Sequence, residues 1–247
     1  MSLSLFLPTT ATPQKLPVLF FLSGLTCTPA NCTEKGFLQH AAARNNIAIV
    51  YPDTSPRGAS IAGEDDAWDF GTGAGFYLDA TAAPWDKNYN MYSYITSELP
   101  KALWEQYGDT LDKERVSIMG HSMGGHGALV ATLKNPGMYK SVSALAPIAN
   151  PGKCPWGEKA FSGYLKEKEE WAAWDATELL QKSGKEGKGK EFKALVDVGT
   201  EDGFWKQGQL RTEELERVVG EVGADVEVRY QKVCWKPRRT DGRANGG

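Results

Sequence analysis

Short runs of apolar and β-branched residues alternate along the chain with segments of helical periodicity. Runs of this kind are typical of strands buried on both faces of a mostly parallel sheet. The predicted strands are residues 18–22, 47–51, 116–119, 142–146, 195–198 and 226–230, with residues 3–7 as an edge strand. Their alternation with helices predicts an α/β fold, with a doubly wound sheet covered by helices on both faces.

Helical periodicity is clearest in residues 90–107, where Met91, Ile95, Leu99 and Leu103 recur every four positions. One apolar face predicts a helix there, kinked by the proline at position 100. Further helices are predicted directly after Ser122 and over residues 212–222. The glycine- and charge-rich residues 181–191 predict a disordered surface loop. No linker divides the chain, so residues 1–231 are predicted to form one domain.

Composition restricts the function. The 247 residues carry 28 basic and 31 acidic side chains, a net charge of −3, which argues against nucleic acid or an anionic membrane as the main partner. No apolar run is long enough to span a bilayer, and the first residues lack the pattern of a signal peptide, so we expect a cytoplasmic protein. Four scattered cysteines and three histidines without a Cys-x-x-Cys pair favour neither a disulfide framework nor a metal site, and we expect no cofactor.

The sharpest motif is Gly-His-Ser-Met-Gly at residues 120–124, between the strand 116–119 and a segment suited to a helix. In a strand–turn–helix corner, glycines on either side let the chain fold back, and the serine is presented as a nucleophile. We therefore predict Ser122 as the catalytic nucleophile. The alternative is a glycine-rich helix start that only packs closely on the sheet.

A nucleophile corner needs two backbone N–H donors for the oxyanion that forms on the substrate. One comes from the residue after the serine, Met123. The strand 18–22 ends in a glycine turn, Ser23-Gly24-Leu25, at the sheet edge where ligands bind in doubly wound folds. We therefore predict an oxyanion hole made by the amides of Leu25 and Met123.

The acid that supports the nucleophile should follow a later strand. Residues 195–198 are followed by a glycine turn and by Glu201 and Asp202. We favour Asp202 as the catalytic acid, because Asp197 lies within the strand itself. The alternative is a solvated acidic turn without a catalytic role.

Several stretches resemble the S-formylglutathione hydrolases, also called esterase D: LSGLTCT (22–28), PDTSPRG (52–58), WDFGTGAGFY (68–77), GHSMGGHG (120–127) and CPWG (154–157). The resemblance runs from about residue 3 to residue 231. It implies an α/β-hydrolase that splits the small-molecule thioester S-formylglutathione into formate and glutathione, commonly as a homodimer. By motif, Ser122 and Asp202 match the nucleophile and the acid of this family. Cys27 and Trp156 match positions that line its substrate-binding site.

The chain departs from the family pattern in one important respect. A Ser…Asp…His triad requires a histidine after the acid. The three histidines are residues 40, 121 and 126, so none follows Asp202. In the family, the last strand leads to an Asp-His segment and a closing helix, whereas residues 232–247 here are basic and glycine-rich and are predicted to be disordered. The family also has further residues, including a strand, before residue 3. We therefore expect an incomplete α/β-hydrolase domain, without the first strand and the closing helix.

Without the triad histidine, this chain is predicted to be nearly inactive as written. Two alternatives remain: a non-catalytic protein with a hydrolase fold, and a general carboxylesterase or acyltransferase. The acidic, aromatic stretch 65–94 has two interpretations as well, a wall of the substrate site or a packed surface loop.

Overall fold

A computed structural model describes residues 1–9 and 14–232. One sheet holds the seven strands of these residues in the order β1-β3-β2-β4-β5-β6-β7. The edge strand β1 is antiparallel to β3, and the remaining neighbours are parallel. The predicted doubly wound α/β fold and the predicted edge strand are confirmed. The strands are β1 Leu3–Phe6, β2 Leu16–Leu22, β3 Ala48–Pro52, β4 Leu111–His121, β5 Val142–Leu145, β6 Lys193–Gly199 and β7 Asp225–Gln231.

Helices connect most of these strands. They are α1 Pro29–Lys35, α2 Leu38–Arg44, α3 Met91–Ser93, α4 Leu99–Tyr107, α5 Met123–Lys134, α6 Pro155–Tyr164, α7 Ala176–Lys185, α8 Gly203–Lys206 and α9 Thr212–Val222. The helix predicted over residues 90–107 is interrupted by a π-helical turn, Tyr94–Glu98. Pro100 lies just after this turn, in the first turn of α4, where it has no N–H to donate to the preceding turn.

The prediction of a disordered loop over residues 181–191 is wrong. Helix α7 continues to Lys185, and a short 3-10 helix spans Gly189–Glu191. The physical reason is a close packing of helices. A Cβ built on Gly184 would lie 2.2 Å from a methyl carbon of Val222 on α9, so the glycine lets the two helices approach each other.

Both faces of the sheet carry packed side chains. Along β2, Phe20 and Leu22 belong to the main core, whereas Phe21 points to the opposite face. There it packs with Cys32 of α1 and Ala42 of α2 in a second cluster. The alternation follows from the two-residue period of a strand. Helices therefore cover both faces at the centre of the sheet.

The order of the strands determines at which edge of the sheet a ligand crevice can form. From β2 the chain moves to β3 at one side of the sheet, and from β4 it moves to β5 and β6 at the other. Ligand crevices form at such a reversal, outside the carboxyl ends of the strands. The turn after β2 and the serine after β4 thus lie side by side at this edge. None of the described helices is long and apolar enough to cross a membrane. The predicted disordered tail, residues 232–247, lies outside the described residues except for Lys232.

Candidate active site

Ser122 occupies a sharp corner between β4 and α5. Its φ of 58° and ψ of −119° lie in a region that residues with a side chain rarely adopt. The N–H of Ser122 donates to the carbonyl oxygen of Leu145 at 2.9 Å, and its own carbonyl oxygen accepts from the N–H groups of His126 and Ile148. These bonds hold the strained backbone in place. The predicted strand–turn–helix corner is therefore present, and its serine is partly exposed.

The two glycines of the motif are required by close backbone contacts. A Cβ built on Gly120 would lie 2.1 Å from the carbonyl oxygen of Gly124, and one on Gly124 would lie 2.0 Å from that of Leu22. Backbone atoms at such positions cannot move aside, so no larger residue fits. The close packing considered as an alternative is thus real. It occurs together with the strained serine between the glycines.

The turn at residues 23–27 lies directly against this corner. A Cβ built on Gly24 would be 3.2 Å from the Cβ of Ser122. Among the described residues, no hydrogen bond occupies the N–H of Leu25 or that of Met123. Met123 is the first residue of the 12-residue helix α5, where unpaired N–H groups carry partial positive charge. The corner therefore has two unoccupied backbone donors, one in the turn and one at the start of the helix.

Asp202 lies at the same edge of the sheet, after β6. Its side chain is 3% exposed, and its Oδ1 accepts from the N–H of Phe204 at 2.7 Å. The alternative of a solvated acidic turn is therefore wrong for this residue. Burial lowers the pKa of His121, the last residue of β4, and the negative charge of Asp202 opposes that effect. The carboxylate is thus close enough to the serine corner to act on the residue next to Ser122.

The two predicted substrate-binding residues lie at different ends of the site. Cys27 is in the turn beside the serine corner, and burial raises the pKa of its thiol. Trp156, near the start of α6, is 7% exposed. Its ring lies edge-on to Trp68, with centroids 5.6 Å apart, and 4.7 Å from the ring of Phe204. Trp156 therefore packs against α8, the short helix that directly follows Asp202.

The stretch 65–94 is packed, as the second of its two interpretations expected, and its role as a wall of the substrate site stays a prediction. Phe76, Tyr77 and Leu78 are buried in the core, whereas Trp68 is 55% exposed beside Trp156. Tyr77 also donates its hydroxyl to the carbonyl oxygen of Ser23, 54 residues away in the sequence, at 3.0 Å. Sequence analysis missed this contact, because neither motif spacing nor periodicity reports a hydrogen bond between distant segments.

Comparison with known proteins agrees with this geometry. A family model described as "Putative esterase" matches residues 1–233. The S-formylglutathione hydrolases of Rattus norvegicus and Bos taurus are 52% and 51% identical over 211 residues, which cover 85% of this chain and 73% of each relative. The solved structure of an S-formylglutathione hydrolase from Agrobacterium tumefaciens superposes with a TM-score of 0.87 at 38% identity. That match covers 95% of this chain and 82% of the bacterial one.

A ferulic acid esterase, at 17% identity and a TM-score of 0.69 over 95% of this chain and 85% of its own, shares the fold. The order of the strands, the strained serine after β4 and the high identity to enzymes from mammals and a bacterium all lead to one assignment. The chain is a member of the S-formylglutathione hydrolase family, within the esterases of α/β-hydrolase fold.

Proposed function

We propose that this chain is a serine hydrolase acting on S-formylglutathione, with Ser122 as nucleophile and the amides of Leu25 and Met123 as the oxyanion hole. The observation that carries the proposal is the strained, partly exposed Ser122 beside two unoccupied backbone donors. Asp202 is proposed as the acid. Cys27 and Trp156 are proposed to line the pocket for the small-molecule thioester.

The chemistry follows from these positions. The Oγ of Ser122 attacks the formyl carbon and its proton passes to solvent water, while the charge that develops on the carbonyl oxygen is stabilised by the two N–H groups. Collapse breaks the carbon–sulfur bond and expels glutathione as a thiolate. A thiol with an ordinary pKa of about 8.5 leaves without prior protonation. Water then attacks the formyl-serine: one of its protons goes to the departing oxygen of Ser122, and formate and a second proton are released to solvent.

Both attacks require a base, and the described geometry offers none in position. His126 is fully buried, with its Nε2 on the carbonyl oxygen of Phe76. His121 points toward the turn, since a Cβ on Gly24 would lie 3.5 Å from its Nδ1. No histidine follows Asp202. We therefore propose that turnover is lower than that of a complete triad by roughly 10⁴–10⁶.

The test is the initial rate of S-formylglutathione hydrolysis by this chain, its Ser122→Ala variant and the rat relative under the same conditions. We expect a small rate that disappears in the variant and lies far below that of the rat enzyme. A rate within about 100-fold of the rat enzyme would contradict the lack of a base. An aryl ester turned over with higher kcat/KM than the formyl thioester would favour the general carboxylesterase instead.

The cytoplasmic location and the homodimer are further proposals. They are supported by the family resemblance. Cell fractionation and light scattering test them, and a membrane-associated or strictly monomeric protein would contradict them.

A further inference from the structure

The turn at residues 23–27, called the oxyanion turn below, is held in place by a distant segment. It lies between β2 and α1 and includes Thr26 with a positive φ of 67°. The N–H of Thr26 donates to the carbonyl oxygen of Gly73 at 2.9 Å. The carbonyl oxygen of Cys27 accepts from the hydroxyl of Thr54 at 2.6 Å. The later residues of the turn are therefore tied to residues that follow β3.

Its first residue is held by Tyr77. The Tyr77 hydroxyl donates to the carbonyl oxygen of Ser23 at 3.0 Å, and the residue is only 1% exposed. The hydroxyl is a donor at neutral pH, and burial raises the pKa of Tyr77 further above its ordinary value. Ser23 directly precedes Gly24, which lies against Ser122. The bond from Tyr77 thus acts on the peptide that places Gly24 and the N–H of Leu25.

The same tyrosine is fitted to the helix that carries the nucleophile corner. A Cβ built on Gly127 of α5 would lie 2.6 Å from the Tyr77 ring, so the ring packs directly on the helix backbone. The preceding carbonyl group, that of Phe76, is 3.0 Å from Nε2 of His126 on the same helix. Both Phe76 and Tyr77 have positive φ, 48° and 49°, an unfavourable pair for residues with large side chains. Strain of this kind persists only where the surrounding structure imposes it.

We propose that Tyr77 is a positioning residue: it spans from α5 to the oxyanion turn and fixes the N–H of Leu25 relative to Ser122. This inference rests on the proposed function, because it gives Tyr77 a role in the oxyanion hole. The contacts that support this role are those of Tyr77 with Ser23 and Gly127. Tyr77 acts through Ser23 and Gly24.

The test uses Tyr77→Phe, which keeps the ring on Gly127 and removes only the donor to Ser23. Tyr51→Phe is the matched control, since Tyr51 is equally buried and its hydroxyl has no partner among the described residues. The first measurement is the alkylation rate of Cys27 by iodoacetamide, located by peptide mass spectrometry. We expect Tyr77→Phe to alkylate about fivefold faster, the factor for one neutral hydrogen bond lost from a closed turn. The control should match the unsubstituted chain.

The second measurement separates positioning from a merely structural role. In the Ser122-dependent hydrolysis of S-formylglutathione, Tyr77→Phe should lower kcat by at least about 10-fold with little change in KM. Unchanged alkylation of Cys27, or faster alkylation with unchanged kcat, would overturn the proposal. If the unsubstituted chain shows no Ser122-dependent turnover, the proposed function fails, and Cys27 alkylation alone still decides whether Tyr77 holds the turn.

A third measurement covers the case in which Tyr77→Phe does not fold. In the unsubstituted chain, hydrogen exchange at the amide of Thr26 should be protected, because the turn is closed onto Gly73. Exchange of that amide at the rate of an unstructured peptide would overturn the proposal.

Discussion

The two halves of the candidate active site differ in how completely this chain builds them. After β4, Ser122 has a strained backbone conformation. After β2, hydrogen bonds fix the oxyanion turn. At the end of β6, Asp202 is buried and accepts from the N–H of Phe204, but no histidine follows it in the sequence. The serine half depends on one short motif and its contacts. The acid half depends on a pairing with a residue from another part of the chain, which no short motif specifies.

The largest effect should come from completing the acid half. Residues 232–247 would be replaced by the segment of the rat relative that follows its last strand, which the family pattern supplies with a histidine. We expect the rate of S-formylglutathione hydrolysis to rise roughly 10⁴–10⁶-fold, because Ser122 then has its base. Steady-state kinetics measures it.

The control is the same chimaera with that histidine changed to alanine, which should return to the low rate. A folded chimaera that gains nothing would show that the serine half is not competent, in contradiction to the comparison above.

The next largest effect concerns the serine half. Gly124→Ala places a Cβ against the carbonyl oxygen of Leu22, and backbone on both sides prevents relief. We expect the free energy of unfolding to fall by about 4 kcal/mol, at the upper end for a single substitution. Urea denaturation measures it.

Gly220→Ala is the matched control for this change. Gly220 lies in α9 with no atom within 4 Å of a built Cβ. Alanine there should stabilise the helix by about 0.5–1 kcal/mol. Equal effects of the two substitutions would show that the glycine of the motif is not sterically required.

The same contrast explains what the sequence could predict. Strands, the helix after Ser122 and the glycine motif follow from local patterns, and the structure has them within a few residues of the predicted bounds. The bond from Tyr77 to Ser23 joins segments 54 residues apart and left no local pattern. The prediction of a disordered loop over residues 181–191 was wrong for a related reason. Gly184 resembles a loop residue in the sequence, whereas in the structure it allows close packing against Val222. Elements and motifs that depend on neighbouring residues could be predicted from the sequence, and contacts between distant segments could not.

A smaller effect, on the stability of the folded chain, is expected when the pH is lowered, and it again concerns the serine half. His126 is fully buried on α5, and burial lowers its pKa from 6.5 to about 4. Between these values the unfolded chain binds a proton that the folded chain does not, so stability falls as the pH is lowered from about 6.5 to 4. The contribution is about 3 kcal/mol. Urea denaturation as a function of pH measures it.

His126→Gln should lose this part of the pH dependence, since the amide can still donate to the carbonyl oxygen of Phe76. His40→Gln, at an exposed position, is the control and should retain it. Identical pH profiles for His126→Gln and the unsubstituted chain would show that His126 does not resist protonation.

The smallest effect should be that of Asp202→Asn. In a complete triad this change costs about 10⁴ in kcat, because the carboxylate orients and stabilises the imidazole. No histidine follows Asp202 in this sequence, and the amide oxygen of asparagine can still accept from the N–H of Phe204. Ser122-dependent hydrolysis should therefore change by less than about threefold, whereas Ser122→Ala removes it. A loss of more than about 10-fold would mean that Asp202 acts through another group of this chain. His121 would be that group, since burial lowers its pKa and the charge of Asp202 offsets part of that effect.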